Sequence, residues 1–267
     1  MRRLILILLL SPLLLAIWSY GTATSKAVVR RATVALPAWP NGTLPIRVLL
    51  WSDVHIGNPT TGPERLERLV AQANALRPDL IVIAGDFIAG HEHADIAAAP
   101  GLAALTRLRA PLGVVAVLGN HDHWTDPGRV RRVLTAAGVR VLVNEAVRRG
   151  PLAVGGLDDP PTRHADLPAT LEAMRSVGGV PLLLSHSPEI APKLPGGVPL
   201  LLAGHTHCGQ VVLPILGAPV QVTAPRYRCG LVREGPRLTV VTAGTGTSGL
   251  PFRFGAVPDM WLLTLGP

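Results

Sequence analysis

The sequence predicts an α/β (α+β) domain built on two packed mixed β-sheets with helices outside, preceded by an N-terminal apolar helix. Three observations carry this. Short apolar runs alternate with segments of helical spacing from residue 47 to residue 177. Beyond residue 210 the helical spacing stops and the character turns to β alone. Alternating strands and helices followed by a run of strands imply a mixed sheet. Finally, 267 residues that are 48% hydrophobic suffice for one large domain with its own core, and are far too apolar for a disordered chain.

In chain order, Arg2 and Arg3 precede an almost unbroken apolar run from Leu4 to Trp18, followed by Ser19, Tyr20, Gly21, Thr22 and Ala23. A charged start, an apolar centre and small residues fit a signal peptide. Leu4 to Ala23 is also long enough, at about 20 residues, to cross a bilayer as a helix. Residues 1–25 are therefore a hydrophobic anchor or signal segment, with the uncleaved anchor preferred. Arg2 and Arg3 favour a cytoplasmic N-terminus and an extracytoplasmic domain, while Lys26, Arg30 and Arg31 pull the other way. Secretion after cleavage, and a membrane-bound domain facing the cytoplasm, stand as the alternatives. Residues 26–45, with Pro37, Pro40, Gly42 and Pro45, are a linker or an edge strand leading into a domain over 46–267.

Within that domain the patterns predict strands at Arg47–Trp51, Leu80–Ala84, Val114–Leu118 and Val139–Val143, with helices at Glu64–Leu76, Ala97–Leu108 and Pro127–Ala137. Further strands follow at Leu152–Val154, Leu182–Leu184 and Leu200–Leu202, with a helix near Leu167–Val177. The closing run of strands is Val211–Leu213, Tyr227–Arg233, Leu238–Thr242 and Met260–Leu265.

The polar residues that stand out fall just after predicted strands. SDVHIG holds Asp53 and His55, AGDF holds Asp86, and GNHDHW holds Asn120, His121 and Asp122. LLLSHS supplies His186, and LLAGHTHCGQ supplies His205 and His207. Ligands of α/β sheets gather where strands end, so these loops can converge on one edge. Glycines 85, 119 and 204 immediately precede the polar groups, where the backbone must pass close to a metal or a phosphate. Carboxylate with imidazole suits Mn, Fe or Zn rather than copper or an iron–sulfur cluster. Asp86 lies between the two outer ligand groups in the chain and is the natural bridge between two divalent cations. Such a pair clamps the attacking and departing oxygens of an in-line displacement. His121 directly follows Asn120 and can face the substrate to protonate a leaving oxygen. Asp122 can orient that ring.

Each piece alone is weak; five in this order, each behind an apolar strand, are not a coincidence. At these residues the chain resembles the calcineurin-like metallophosphoesterase superfamily, matching its DxH, GD, GNHD, H and GHxH series from Asp53 to His207. Within it the chain is similar to the membrane-associated bacterial branch of YkuE/YaeI-like phosphodiesterases. GLDDP at 156–160, LLLSHSPEI at 182–190, GHTHCGQVVLP at 204–214 and GLPFRFGAVPD at 249–259 carry that closer likeness. The resemblance covers about residues 45–265 and implies a four-layer α-β-β-α sandwich. It implies that Asp53, His55, Asp86 and His207 hold one metal, that Asp86, Asn120, His186 and His205 hold the other, and that His121 is the catalytic acid. It also points to UDP-2,3-diacylglucosamine hydrolysis, a lipid A precursor step. Two departures stand out: Cys208 replaces a frequent glycine after GHTH, and AGTGTSGLP lacks the usual arginine-containing turn.

The remaining features rank partners. A net charge of +8 favours anionic ones, namely phosphorylated small molecules, lipid-linked substrates or acidic membrane surfaces. There is no block of positive charge, and five Trp, two Tyr and three Phe are few for stacking a nucleic-acid strand, so no specific nucleic acid is expected. Two cysteines, Cys208 and Cys229, make no disulfide framework; Cys208 is a small buried side chain, a soft extra ligand or an oxidation-sensitive neighbour. His91, His93, His123 and His164 lie in loops as solvated groups, with His123 the one best placed to support the site. Asp158 and Asp159 are turn residues or substrate contacts. Arg253 is a phosphate contact or a surface ion pair. The function expected is hydrolysis at a membrane of a phosphoester or pyrophosphate. A broad extracytoplasmic phosphodiesterase or phosphatase is the alternative, and a metal-free scaffold the non-enzyme one.

Overall fold

The computed structural model describes residues 2–267, the side chains of residues 2–10, 93 and 94 excepted. The chain begins with helix α1 (Arg2–Thr24) and strand β1 (Val28–Ala35). Then come β2 (Ile46–Trp51), α2 (Pro63–Ala75), β3 (Leu80–Ala84), a 3-10 segment over His93–Arg107, and β4 (Val114–Val117). Two short helices, α3 (Asn120–Thr125) and α4 (Pro127–Ala136), lead to β5 (Val139–Val141), β6 (Glu145–Arg149) and β7 (Leu152–Gly156). The second half holds α5 (Leu167–Val177), β8 (Val180–Leu184), β9 (Leu200–Ala203), β10 (Gly230–Glu234), β11 (Arg237–Val241) and β12 (Asp259–Gly266).

These strands form two six-stranded mixed sheets, ordered β1-β12-β2-β3-β4-β5 and β10-β11-β9-β8-β7-β6. In the first, β2, β3, β4 and β5 run parallel, and β12 enters antiparallel to β2. In the second, β7, β8, β9 and β11 run parallel between antiparallel edges.

Period-two alternation of the strands decides the layering. Val48, Leu50, Leu80, Val82, Val115 and Val117 turn one way and meet Val154, Leu182, Leu184, Leu200, Leu202 and Val240 of the other sheet. Their neighbours Leu49, Trp51, Ile81, Ile83 and Ala116 turn outward under Leu66, Leu69 and Val70 of α2 and Val130 and Leu134 of α4. Leu183 and Leu201 pack under Met174 of α5 and under Ile190 and Leu194. Helix, sheet, sheet and helix therefore succeed one another. Because both faces are covered, the central strands β3, β4 and β9 are apolar on every residue, which is why they show as unbroken runs.

Several expectations change. Ala97–Leu108 is 3-10 rather than α-helical, for Pro100 lies inside it and has no amide hydrogen to continue an α-helix. Val211–Leu213 is not a strand: Val211 bridges singly to Phe254 and to Gly255, and Leu213 to Gly217. The terminal run of strands does not stay together either, since β10 and β11 extend the second sheet while β12 inserts into the first. Residues 28–35 take the edge-strand alternative, parallel to β12.

Among the described residues no helix is long and apolar enough to cross a membrane. The expected membrane segment, Leu4–Ala23, falls in part on residues 4–10, whose side chains lie outside the described ones. The C-terminal part of α1 packs on the domain. Ser19 accepts a bond from the Arg253 amide at 3.0 Å, the Trp18 ring meets Phe254 at 5.3 Å, and the Tyr20 hydroxyl donates to the Pro59 carbonyl.

Candidate metal centre

Parallel strands end on the same side of a sheet, so the loops after β2, β3 and β4 meet those after β8 and β9 across the gap between the sheets. Backbone bonds lock them together. The amide of Asp53 donates to the Gly85 carbonyl, that of His55 to Asp86, and that of Gly204 to His186. The amide of His205 donates across the two sheets to the Asp53 carboxylate at 3.1 Å.

Two groups that could each hold a metal ion result. Asp53, His55 and His207 each offer one atom within 4.8 Å of the others, and so do Asp86, His186 and His205. His55 Nε2 and His207 Nε2 are 3.2 Å apart, and Asp53 Oδ1 is 3.4 Å from the latter. Asp86 Oδ2 is 3.2 Å from His186 Nε2 and 3.5 Å from His55 Nε2, so it touches both groups. Asn120 joins the second group, its Oδ1 3.0 Å from His186 Nε2.

The backbone is strained where these ligands sit. Asp53, His55, Asp86, His205 and His207 all have φ between 49° and 68°, a region that costs non-glycine residues of order 1 kcal/mol each. Such strain persists only when the surroundings over-determine it, and it clusters at functional sites. Space is equally tight. A Cβ on Gly119 would overlap the Asp86 carboxylate, and one on Gly204 would come 2.6 Å from Asp53 Oδ2. At these two positions any side chain would displace a carboxylate of the candidate site.

Electrostatics suits a cation. Burial holds His55 and His205 down to about 3, and burial with His55 and Arg253 nearby holds His207 well below its usual value. These imidazoles are therefore neutral, as a metal ligand must be. Burial raises Asp53 to about 7. Burial would raise Asp86 as well, but His186, His121 and His55 together hold it well below its usual value; reciprocally, Asp86 with Asp53 and Asp159 overcomes burial and raises His186 well above its own. His186 Nδ1 lies 2.7 Å from the Ala84 carbonyl, which only accepts, so that nitrogen carries a proton and Nε2 faces the site. A buried set of two carboxylates, four imidazoles and one amide oxygen fits divalent transition-metal ions, which would displace the protons that Asp53 and His186 keep in their absence.

His121 stands at the mouth of this set. Its amide donates to Asp86 Oδ1 at 2.9 Å, its Nδ1 lies 2.8 Å from the Gly90 carbonyl, and its Nε2 is 3.3 Å from Ser248 Oγ. His91 and Trp124 flank the ring at 4.5 and 4.9 Å. Residues His55, Asp86 and His121 also lie close enough to share an ion.

Other expectations are corrected. Asp122 does not orient the His121 ring; the Gly90 carbonyl has that position. The Asp122 carboxylate accepts instead from the amides of Phe87, Ile88 and Gly119, pinning two ligand loops to each other. Arg253 is neither a phosphate contact nor a surface ion pair. It is fully buried and donates to the carbonyls of Ala243 and Gly246 behind His207. Cys208 is no extra ligand, since it forms a disulfide with Cys229. His123 is not solvated: its Nε2 is 2.8 Å from Asp158 and its ring stacks on His164 at 4.2 Å; burial would lower it, but Asp158, Asp159 and Asp122 together raise it. Asp159 accepts from Thr162, as a turn residue does. The His93 side chain lies outside the described residues.

Sequence reasoning missed the back wall. Gly244 and Gly246 press on Asp53 and His55, Thr245 accepts from Trp51 Nε1 at 2.8 Å, and Ser52 Oγ bonds the Asp53 carboxylate. Alternating glycines directly after β11 were the available signal. A cavity of about 500 Å³ opens over Asp86, Asn120, His121, His205 and His207, with Val220, Val222 and Leu250 in its outer wall.

Comparison with known proteins agrees with this geometry. The calcineurin-like phosphoesterase family matches residues 46–209. The metallophosphoesterase YkuE of Bacillus subtilis is 33% identical over 239 residues, covering 85% of this chain and 81% of that protein. A transmembrane protein with metallophosphoesterase domain from Danio rerio is 29% identical over 287 residues; it covers 99% of this chain, which spans 63% of its length. Among solved structures, the NAD nucleotidase of Haemophilus influenzae superposes with a TM-score of 0.50 at 14% identity, over 76% of this chain. That likeness concerns the fold alone, and this chain spans 46% of the nucleotidase. By its family match and by its likeness to YkuE over most of both lengths, the chain belongs to the calcineurin-like phosphoesterase family and is a hydrolase of phosphoesters.

Proposed function

We propose that the protein uses two divalent ions, Mn, Fe or Zn, to hydrolyse a phosphoester or pyrophosphate in a phosphorylated small molecule or lipid-linked substrate, outside the cytoplasm and at a membrane. One observation carries the dinuclear reading: the Asp86 carboxylate lies within reach of both ligand groups. Asp53, His55, Asp86 and His207 would hold one ion, and Asp86, Asn120, His186 and His205 the other. Bound there, the ions would neutralise phosphoryl charge and acidify water. His121 would protonate the leaving oxygen from Nε2, the Gly90 carbonyl keeping a proton on Nδ1 and turning Nε2 to the cavity. Asp122 holds the Asp86 and Asn120 loops in register, and the cavity volume is of the size that small-molecule sites commonly have.

The Cys208–Cys229 disulfide supports the extracytoplasmic side, because such bonds persist in oxidising compartments. It weighs against UDP-2,3-diacylglucosamine, a nucleotide sugar lipid made in the cytoplasm, and favours a broader phosphodiesterase or phosphatase. The test is elemental analysis of the purified protein beside turnover of a simple phosphodiester. Two ions per chain, lost together with activity in Asp86→Ala, are expected; full metal content in that variant overturns the dinuclear site. Reporter fusions at the C-terminus test the side of the membrane.

A further inference from the structure

We infer that the loop 211–222 and the adjoining end of α1 form one surface that sits against a lipid bilayer, with the cavity opening beside it. Leu213, Ile215, Leu216, Val220, Val222 and Leu250 are all exposed, Ile215 fully and Leu216 at 79%. Val220, Val222 and Leu250 also line the cavity wall, so the apolar patch and the cavity mouth are continuous. Scattered apolar residues on a surface need no explanation, but a contiguous patch marks an interaction site.

The tip of the loop adds an independent observation. A bridge between Leu213 and Gly217 closes a tight turn that carries Ile215 with φ at 70°. A β-branched residue there is a genuine outlier, where glycine or asparagine would sit without strain. Its side chain touches too little of its own protein to be covered. Strain and exposure at one residue make sense when that side chain is buried in something else.

The occupant follows from what adjoins the loop. Val212 donates to the Phe254 carbonyl at 2.7 Å, Phe254 meets Trp18 of α1, and the Arg253 amide bonds Ser19. Leu13, Leu14, Leu15, Ile17 and Trp18 of α1 are exposed as well. The loop thus emerges beside the end of an apolar helix that continues the run begun at Leu4. No acidic residue occurs from His205 to Arg233; Arg228 follows the loop, as does Arg226, which pairs with Glu234. An apolar tip free of acidic residues, on a chain of net charge +8, suits anionic headgroups above acyl chains and disfavours a second, equally basic copy.

This surface deepens the membrane-side reading above and is tested apart from it. Full-length protein carrying Leu216→Trp is placed in phosphatidylcholine–phosphatidylglycerol vesicles, and its emission is compared with that of the parent. The added emission should be blue-shifted and quenched by lipids brominated in their acyl chains. Emission at the wavelength of water-exposed tryptophan, or blue-shifted emission that brominated lipid leaves unquenched, as burial against another copy produces, overturns the proposal. In parallel, Ile215→Glu with Leu216→Glu should lower turnover of a vesicle-embedded phosphodiester about tenfold or more. Turnover of soluble bis(nitrophenyl) phosphate should match the parent, which also shows that the variant is folded. Equal turnover on both substrates overturns the proposal, whereas a parent inactive on the soluble ester would count against the phosphodiesterase reading and leave the quenching result standing.

Discussion

The guanidinium of Arg253 lies fully buried behind His207, its Nη2 3.3 Å from the imidazole Nδ1 and 2.7 Å from each of the Ala243 and Gly246 carbonyls. A single cation thus ties the glycine-rich segment after β11 to a ligand of the proposed centre. Arg253→Met would leave those carbonyls buried without donors, at about 1–3 kcal/mol for each orphaned acceptor. The denaturant midpoint should fall accordingly, and the metal held by the His207 group should fall with it. An unchanged midpoint would show that the segment holds its place without the arginine.

His121 separates binding from chemistry. His121→Ala should keep both ions, since the two ligand groups are complete without it, yet lose about 10²–10⁴ in turnover for substrates with poor leaving groups. The loss should shrink for nitrophenyl esters, whose leaving groups need little protonation. Loss of an ion would instead make His121 a ligand, which its closeness to His55 and Asp86 permits.

Metal affinity should depend on pH through Asp53. Burial raises this carboxyl to about 7, whereas His55 and His205, held down to about 3, carry no competing proton near neutrality. Above about pH 7 a cation meets a free carboxylate. Below it the cation must displace a proton, and affinity should fall about tenfold for each pH unit. Calorimetric titration of Mn into chelator-treated protein, in buffers of different ionisation enthalpy, would reveal the released proton. Affinity that stays flat from about pH 5.5 to 8 would contradict the assignment of Asp53 as a ligand.

Reducing the Cys208–Cys229 bond opens a loop whose ends are 21 residues apart in sequence. The chain-entropy estimate for a loop of that length is about 3 kcal/mol. Cys229→Ser should therefore melt several degrees lower than the parent, and the native protein should show no reactive thiol until it is reduced. A full complement of free thiols in protein isolated from the oxidising side would remove the argument for that compartment.

How much was legible follows from how local each signal is. Asp53, His55, Asp86, Asn120, His205 and His207 each follow an apolar strand within a few residues, and parallel strands bring such ends together without further information. The helices over α2, α4 and α5 were legible from spacing for the same reason. The failures are long-range. Nothing near Arg253 announces that a guanidinium will be buried, because its partners belong to the 243–246 segment and to His207. Asp122 stands beside His121 in sequence but its acceptor atoms go to amides at 87, 88 and 119, a choice only the packed loops reveal. Strand β1, carrying Arg30 and Arg31, reads as either a linker or an edge strand, and nothing local decides between them because its one partner lies more than two hundred residues away.

The insertion of β12 between β1 and β2 has a consequence for biosynthesis. β1 pairs with β12 on one side, and β2 touches β12 along its inner edge. During synthesis β1 has no partner in the sheet, and β2 lacks one of its two, until residues 259–266 have emerged. The half-finished sheet cannot close, and neither can the loop network around Asp53, because Asp259 at the head of β12 accepts from the Ala243 amide and Thr242 hydroxyl behind it. Such late, distant pairing delays folding until the whole sheet is available. The loops that meet at Asp53 can therefore close, and a cation can be held between them, only once the last strand of the chain has been made.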